Sequence, residues 1–213
     1  MASITAGKYY TPTLKLNKKN SAKSLNEATF VDIGKIIAAD GYIYPVGTEN
    51  VTPVAMVAFV GNVDGICVHG LGISIHSSVI SATQYNASNA ANYTTAVTGG
   101  EWRLPTILDY QYMFRGCGGY TPITQVSDIV SSGTNRTIFS TGHLESMLKI
   151  INDNASLAKP SSSPIYWTNT QHSYTSPVYR YWCVCPTPYT ESASFRSGED
   201  YSNTHYIRYC LSF

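Results

Sequence analysis

Gly99-Gly100-Glu101-Trp102-Arg103-Leu104-Pro105-Thr106 decides how the rest of this 213-residue chain is read. The glycine pair ends whatever element precedes it. Pro105 closes a short extended run, and Thr106 is a good helix N-cap. Asp109, three residues on, can reach back as the capping-box partner. A helix is therefore predicted from Thr106, with Leu108, Tyr112 and Phe114 helping to form an apolar face and Gly116 as its stop.

Downstream, residues 117–140 read as loop and short strand. Thr141–Asn154 reads as a second helix, because Leu144, Met147, Leu148 and Ile151 recur at helical spacing. Lys159-Pro-Ser-Ser-Ser-Pro164 is a loop. Upstream the pattern is β. Phe30–Ile37 is rich in strand formers, Asp40-Gly41 is a hairpin signal before Tyr42-Ile43-Tyr44, and Val54–Val60 is a continuous apolar run of buried-strand length. Asn62–Gly65 supplies a turn into a strand over Ile66–Ile75, loosened by Gly70 and Gly72. Residues 77–98 are Ser/Asn/Ala-rich, with a weakly periodic helix around 83–95. Residues 1–28 read as a polar, lysine-containing N-terminal arm or linker, and 29–213 as one domain. Strands, then helices, then strands argue an α+β fold with mixed or antiparallel sheets and two main helices.

Charged residues make up only 13% of the chain and the formal net charge is +1. That lacks the basic footprint of a nucleic-acid partner. No apolar run approaches the ~20 residues of a membrane-spanning helix, so no membrane insertion is expected. Met1–Tyr10 lacks the basic start and apolar run of a signal peptide. Five cysteines (67, 117, 183, 185, 210) cannot all pair within one chain. Cys183-Val184-Cys185 has no zinc-ligand spacing, so buried free thiols are expected, with no metal and no cofactor.

The closing stretch, Tyr166–Phe213, holds eight of the 17 tyrosines and none of the eight lysines. Its middle is mostly Ser, Thr, Tyr, Pro, Asn and Cys. Tyr offers large, rigid contact area, Ser and Asn adaptable hydrogen bonds, and absent Lys spares an ordering cost. That composition suits a contact surface; a set of Tyr-rich surface loops is the plainer alternative.

Two motifs carry a resemblance. Glu101–Thr106 before its helix resembles the "WRLPT" signature of C-type-lectin-like domains of the formylglycine-generating-enzyme type. Tyr166-Trp167-Thr168-Asn169-Thr170 and the close Tyr206-Ile-Arg-Tyr-Cys-Leu-Ser-Phe213 resemble the ending of one branch, the variable proteins of diversity-generating retroelements, found in phage tail adhesins and bacterial surface adhesins. The likeness in layout covers roughly residues 30–213. It implies a C-type-lectin-like fold whose variable region, about 166–213, displays a hypervariable, receptor-binding surface. In such systems random replacement of template adenines can yield Tyr, Ser, Asn, Asp, His, Cys, Arg, Thr, Pro, Val, Phe or Gly, but not Lys, Glu, Gln, Met or Trp. Residues 172–205 use the permitted set heavily, which leaves Trp182, Glu191 and Glu199 as fixed positions.

The resemblance implies scaffold roles for Trp102, Leu104, Tyr166, Trp167, Ile207 and Phe213. It implies ligand contact at Tyr174, Ser176, Val178, Arg180, Cys183, Cys185, Thr187, Tyr189, Arg196, Asp200, Tyr201 and Asn203. The ligand would be a cell-surface protein or glycan. The setting would be a phage tail or bacterial surface, with homo-oligomers, a trimer by analogy, adding avidity.

Other constellations favour structural roles. Arg103 and Arg208 are expected to pair with carboxylates, and Trp102 and Trp167 to be core, with Trp182 open between core and stacking platform. His69, His76, His143, His172 and His205 show no metal spacing, and regular alternation would put His69 and His76 on opposite strand faces. No Glu-Pro-Asn, Gln-Pro-Asp or Trp-Asn-Asp triplet of a calcium-dependent sugar site is present. Cys183, Cys185 and Cys210 suggest an oxidase of the formylglycine-generating type, yet no recognisable motif surrounds them, so no enzyme activity is expected. A structural pilus or tail subunit is the remaining alternative.

Overall fold

The computed structural model describes residues 22–76, 78–82, 94–120, 137–152, 155, 164–175, 178–187, 190–200 and 205–213. Strands β1 (Lys23–Ser24), β2 (Ile36–Ala38), β3 (Tyr42–Tyr44), β4 (Pro53–Val60) and β5 (Gly70–Ser74) come first. β6 (Ser78–Ala82) and β7 (Glu101–Arg103) lead to helix α1 (Ile107–Gly116), and β8 (Thr137–Ser140) to helix α2 (Leu144–Ile151). β9 (Tyr166–Thr175), β10 (Val178–Pro186), β11 (Ser192–Asp200), β12 (His205–Ile207) and β13 (Cys210–Ser212) complete the order. One sheet runs β1-β3-β2-β4-β5-β13-β7 and the other β6-β12-β9-β10-β11-β8. Every strand pair is antiparallel except β12 beside β9. The fold is thus α+β, with two helices among the described residues.

The two sheets share one core with both helices. Met56, Leu71 and Ile73 meet Tyr110, Met113 and Phe114 of α1, Leu144 and Leu148 of α2, and Tyr166, Trp182, Val184 and Phe195 of the second sheet. The outer face of the first sheet buries Ile37, Ala55, Val57 and Leu211. β4 is therefore covered on both faces, which is why its sequence is unbroken apolar. A third cluster on the second sheet joins Leu104, Trp167, Cys183, Ile207 and Tyr209.

The Asp40-Gly41 turn joins β2 to β3 as expected, with Gly41 at φ 83. Five readings differ from expectation, the first being the strand expected over Ile66–Ile75, which is confined to Gly70–Ser74 because Ile66 and Cys67 N–H groups turn back to the Val63 carbonyl. Phe30–Asp32 forms a single 3-10 turn instead of a strand, because the Asp32 carboxylate accepts from Thr29 N at 2.9 Å and leaves Phe30 exposed. α1 buries Ile107, Tyr110, Met113 and Phe114, whereas Leu108 and Tyr112 are half-buried. Gly116 is its last helical residue and no stop; a Cβ there would stand 2.1 Å from the Ala58 carbonyl oxygen, so only glycine lets α1 lie this close to β4. The described part of the expected arm belongs to the domain: Lys23 and Ser24 pair with β3, and Leu25 and Ala28 are buried under the first sheet. Residues 1–21, and 83–93 of the expected helix, lie outside the described residues.

Asp32 is fully buried and takes Lys23 Nζ at 2.8 Å and Lys35 Nζ at 2.6 Å. Burial alone would raise its pKa; the bonds from Lys23, Lys35 and Thr29 outweigh that and hold it well below the carboxylate range. A lowered folded pKa stabilises above the unfolded value of about 4 and is lost as pH falls beneath it. Asp32→Asn should therefore melt below the parent at pH 7, and thermal scans should show the gap narrowing as pH drops below about 4.

Candidate functional site

The Glu101–Thr106 motif is held by a single carboxylate. Asp109, fully buried, accepts from both terminal nitrogens of Arg103, Nη2 at 2.6 Å. It also accepts from Thr106 N at 2.6 Å and Thr106 Oγ1 at 2.8 Å, while its own N–H donates back to Thr106 Oγ1 at 3.1 Å. Arg103 Nη2 donates again to the Ile66 carbonyl at 2.9 Å. Burial works against the Arg103 charge, but the bonds to Asp109 outweigh it and hold the pKa above the ordinary arginine value. The expected capping box and Arg103 ion pair are thus one structure.

That structure positions β9. Ile107 N donates to Thr170 Oγ1 at 2.9 Å, and Asn169 N to the Pro105 carbonyl at 2.8 Å. Thr168, fully buried, carries the link onward by donating from Oγ1 to the Trp182 carbonyl at 2.7 Å in β10. The closing motif locks the other side. β13 lies between β5 and β7, with Leu211 opposite Trp102 and Cys210 opposite Arg103. Arg208 is fully buried at the crossing between sheets; its Nη1 donates to the Ser74 carbonyl at 2.7 Å and its guanidinium lies 5.8 Å from the Tyr166 ring centre. Arg208 thus contacts a carbonyl and a ring at the crossing.

β9, β10 and β11 form an antiparallel meander. Its register puts Tyr181 opposite Gln171, Cys183 between Trp167 and Arg196, and Cys185 opposite Ser194. These residues share the face turned away from Trp182, Val184 and Phe195, which point into the main core. On that outer face Gln171 is exposed, and Tyr181, Cys185, Ser194 and Arg196 are half-buried. Thr187 is exposed in the turn that follows β10. Val178 pairs with Thr175, Tyr174 with Tyr179, and Arg180 with Ser173 and Asp200, so these positions fall at one end of the meander. Cys183 is a correction: it is fully buried against Trp167 and Ile207 and offers a ligand no surface. Ser176, Tyr189, Tyr201 and Asn203 lie outside the described residues. Gln171, Tyr181 and Ser194 were missed, although their every-second-residue step with Cys185 and Arg196 is a signal a strand register would have revealed.

Trp182 and Glu191 have partners within the domain. Trp182 is buried, which resolves it as core. The Glu191 carbonyl accepts from Thr141 N at 2.9 Å, and its carboxylate stands 3.6 Å from His143 Nδ1, tying the β10–β11 turn to the start of α2. His69 Nε2 contacts the Ala28 carbonyl at 2.9 Å, and His205 lies 4.6 Å from Trp167, ring to ring. Among the described residues no group of three or more His, Cys, Asp or Glu side chains could hold a metal ion.

All five cysteines are free thiols. Burial raises the Cys67 thiol, pushes Cys117 up to about 12 and carries Cys210 well above its usual value. Protein-family models, curated proteins and solved structures give no match to this chain.

Two measurements check this geometry. Asp109→Asn leaves Arg103 without its charge partner in a buried setting and should cost about 3–5 kcal/mol, read as a melting temperature lower by roughly 10 °C. Ellman titration of the native protein should find one readily reacting thiol, Cys185, with the other four released only by denaturant, because only Cys185 is more than marginally exposed.

Proposed function

We propose that this chain is a binding module: a C-type-lectin-like adhesin whose β9–β11 meander displays a retroelement-diversified surface to a cell-surface protein or glycan. One observation carries the reading. Within 172–205 the residue types that adenine replacement cannot make include Trp182, which is buried in the core. The neighbouring outer-face positions Cys185, Ser194 and Arg196 are of permitted types and partly open. A buried residue of an excluded type beside partly open positions of permitted types is compatible with diversification of a tolerant face.

Recognition on this reading is non-covalent. Arg196 supplies charge-assisted hydrogen bonds, Tyr side chains supply area, and hot spots centre on those two types. Single sites of modest affinity gain avidity when several copies are displayed on a phage tail or cell surface.

Sequencing this gene across a population of its source tests the proposal. Substitutions should cluster at adenine-derived codons between residues 172 and 205, sparing codons 182, 191 and 199. Even, mostly silent variation along the whole gene would remove the diversified surface and with it the adhesin reading.

A further inference from the structure

The turn between β4 and β5 walls a cavity of about 810 Å³ that no residue of the meander lines. That volume falls within the range of small-molecule sites. Its apolar lining comes from Val63, Ile66 and Phe213, which are half-buried, and from Val68, which is 77% exposed. Gly65 and Gly99 also line it, and a Cβ added at either would meet nothing within 4 Å, so the space beside their backbone is open.

The walls are held by the fold itself. The Ile66 carbonyl accepts from Arg103 Nη2 at 2.9 Å. Val63 N donates to the Cys67 carbonyl at 2.9 Å, Cys67 N returns a bond to the Val63 carbonyl at 3.0 Å, and Cys67 Sγ donates to the Gly61 carbonyl at 3.3 Å. The Phe213 carbonyl accepts from His69 N at 2.6 Å and Gly70 N at 2.8 Å, and Phe213 N donates to the Gly70 carbonyl at 3.1 Å. A Cβ at Gly70 would stand 2.6 Å from the Phe213 ring, so that ring is seated on bare backbone. A cavity already formed in this way demands little ordering when a ligand enters.

Charge selects the ligand. Asp64 and Glu101 line the cavity and are both exposed, while no Lys, Arg or His lines it. Neither acid has an ion-pair partner among the described residues. An anion entering here would meet two carboxylates. A cation would find charge-assisted acceptors, beside an aromatic ring whose face attracts positive charge. We propose that this cavity binds a small organic cation: an amine whose aromatic or branched aliphatic body packs on Val63, Ile66 and Phe213 and whose ammonium is held by Asp64 and Glu101. The site is separate from the meander and stands whether or not the meander is diversified.

Amide NMR titrations of the full chain at neutral pH test this with three probes of one shape, benzylamine, benzyl alcohol and benzoate. Benzylamine should shift the amides of residues 62–68, 99–101, 212 and 213 saturably. Benzyl alcohol should bind at least tenfold more weakly, and benzoate more weakly still. Asp64→Asn/Glu101→Gln, at two exposed positions, should abolish the preference for benzylamine and leave the remaining amides unshifted. The comparison of probes on the parent stands alone if that variant folds poorly. Three results would overturn the proposal. One is no saturable shift at these amides with benzylamine. Another is equal response to benzylamine and benzyl alcohol, which leaves an apolar cavity without charge selection. The last is the same amides shifting on dilution of the protein alone, which makes the cavity a contact between copies.

Discussion

The buried carboxylate of Asp109 is the constraint on which the rest depends. A charge removed from water must be paired and fully hydrogen-bonded. Here that demand is met by a guanidinium from β7 and by the N–H and hydroxyl of the α1 cap. Meeting it fixes the angle at which the chain leaves β7 and enters the helix. Because Arg103 also reaches the Ile66 carbonyl, the β4–β5 turn is held to the same point. β7 and α1, neighbours in sequence, and the distant β4–β5 turn are thereby joined around one side chain.

From that point the order passes outward through neutral hydrogen bonds. Pro105 and Ile107 hold β9, Thr168 holds β10, and Glu191 holds the turn into β11. Trp182, Val184 and Phe195 then anchor the inner side of the meander in the shared core. The meander's shape is thus determined from behind and from its ends. Its outer face, apart from the Trp167–Cys183 patch, carries little of that burden. A surface relieved of structural duty can vary without unfolding the domain, which links the architecture to the proposed recognition role.

Much of this was legible in the chain. Thr106 and Asp109 announce their cap through spacing alone, Asp40-Gly41 its hairpin, and Val54–Val60 its doubly covered strand. The helical period of Leu144, Met147, Leu148 and Ile151 locates α2 to within a few residues. What was illegible depended on tertiary neighbours. Phe30–Ile37 has strand propensity, but the local claim of Asp32 on Thr29 overrides it. Gly116 looks like a helix stop until the Ala58 carbonyl is seen to occupy the space of its missing Cβ. Cys183 looks like a surface residue by composition, and only the Trp167 ring and Ile207 beside it show that it is core.

The central claim is that the inner side of the meander and the buried Trp167–Cys183–Ile207 patch specify the fold, while the rest of the outer side is free to change. Saturation substitution of residues 164–213 with selection for folded, displayed protein measures it directly. The account predicts that Gln171, Cys185, Ser194 and Arg196 accept most residue types, while Thr168, Trp182, Val184, Phe195, Ile207 and Arg208 accept few. Equal intolerance on both sides would contradict it and make the outer face part of the fold's own requirement.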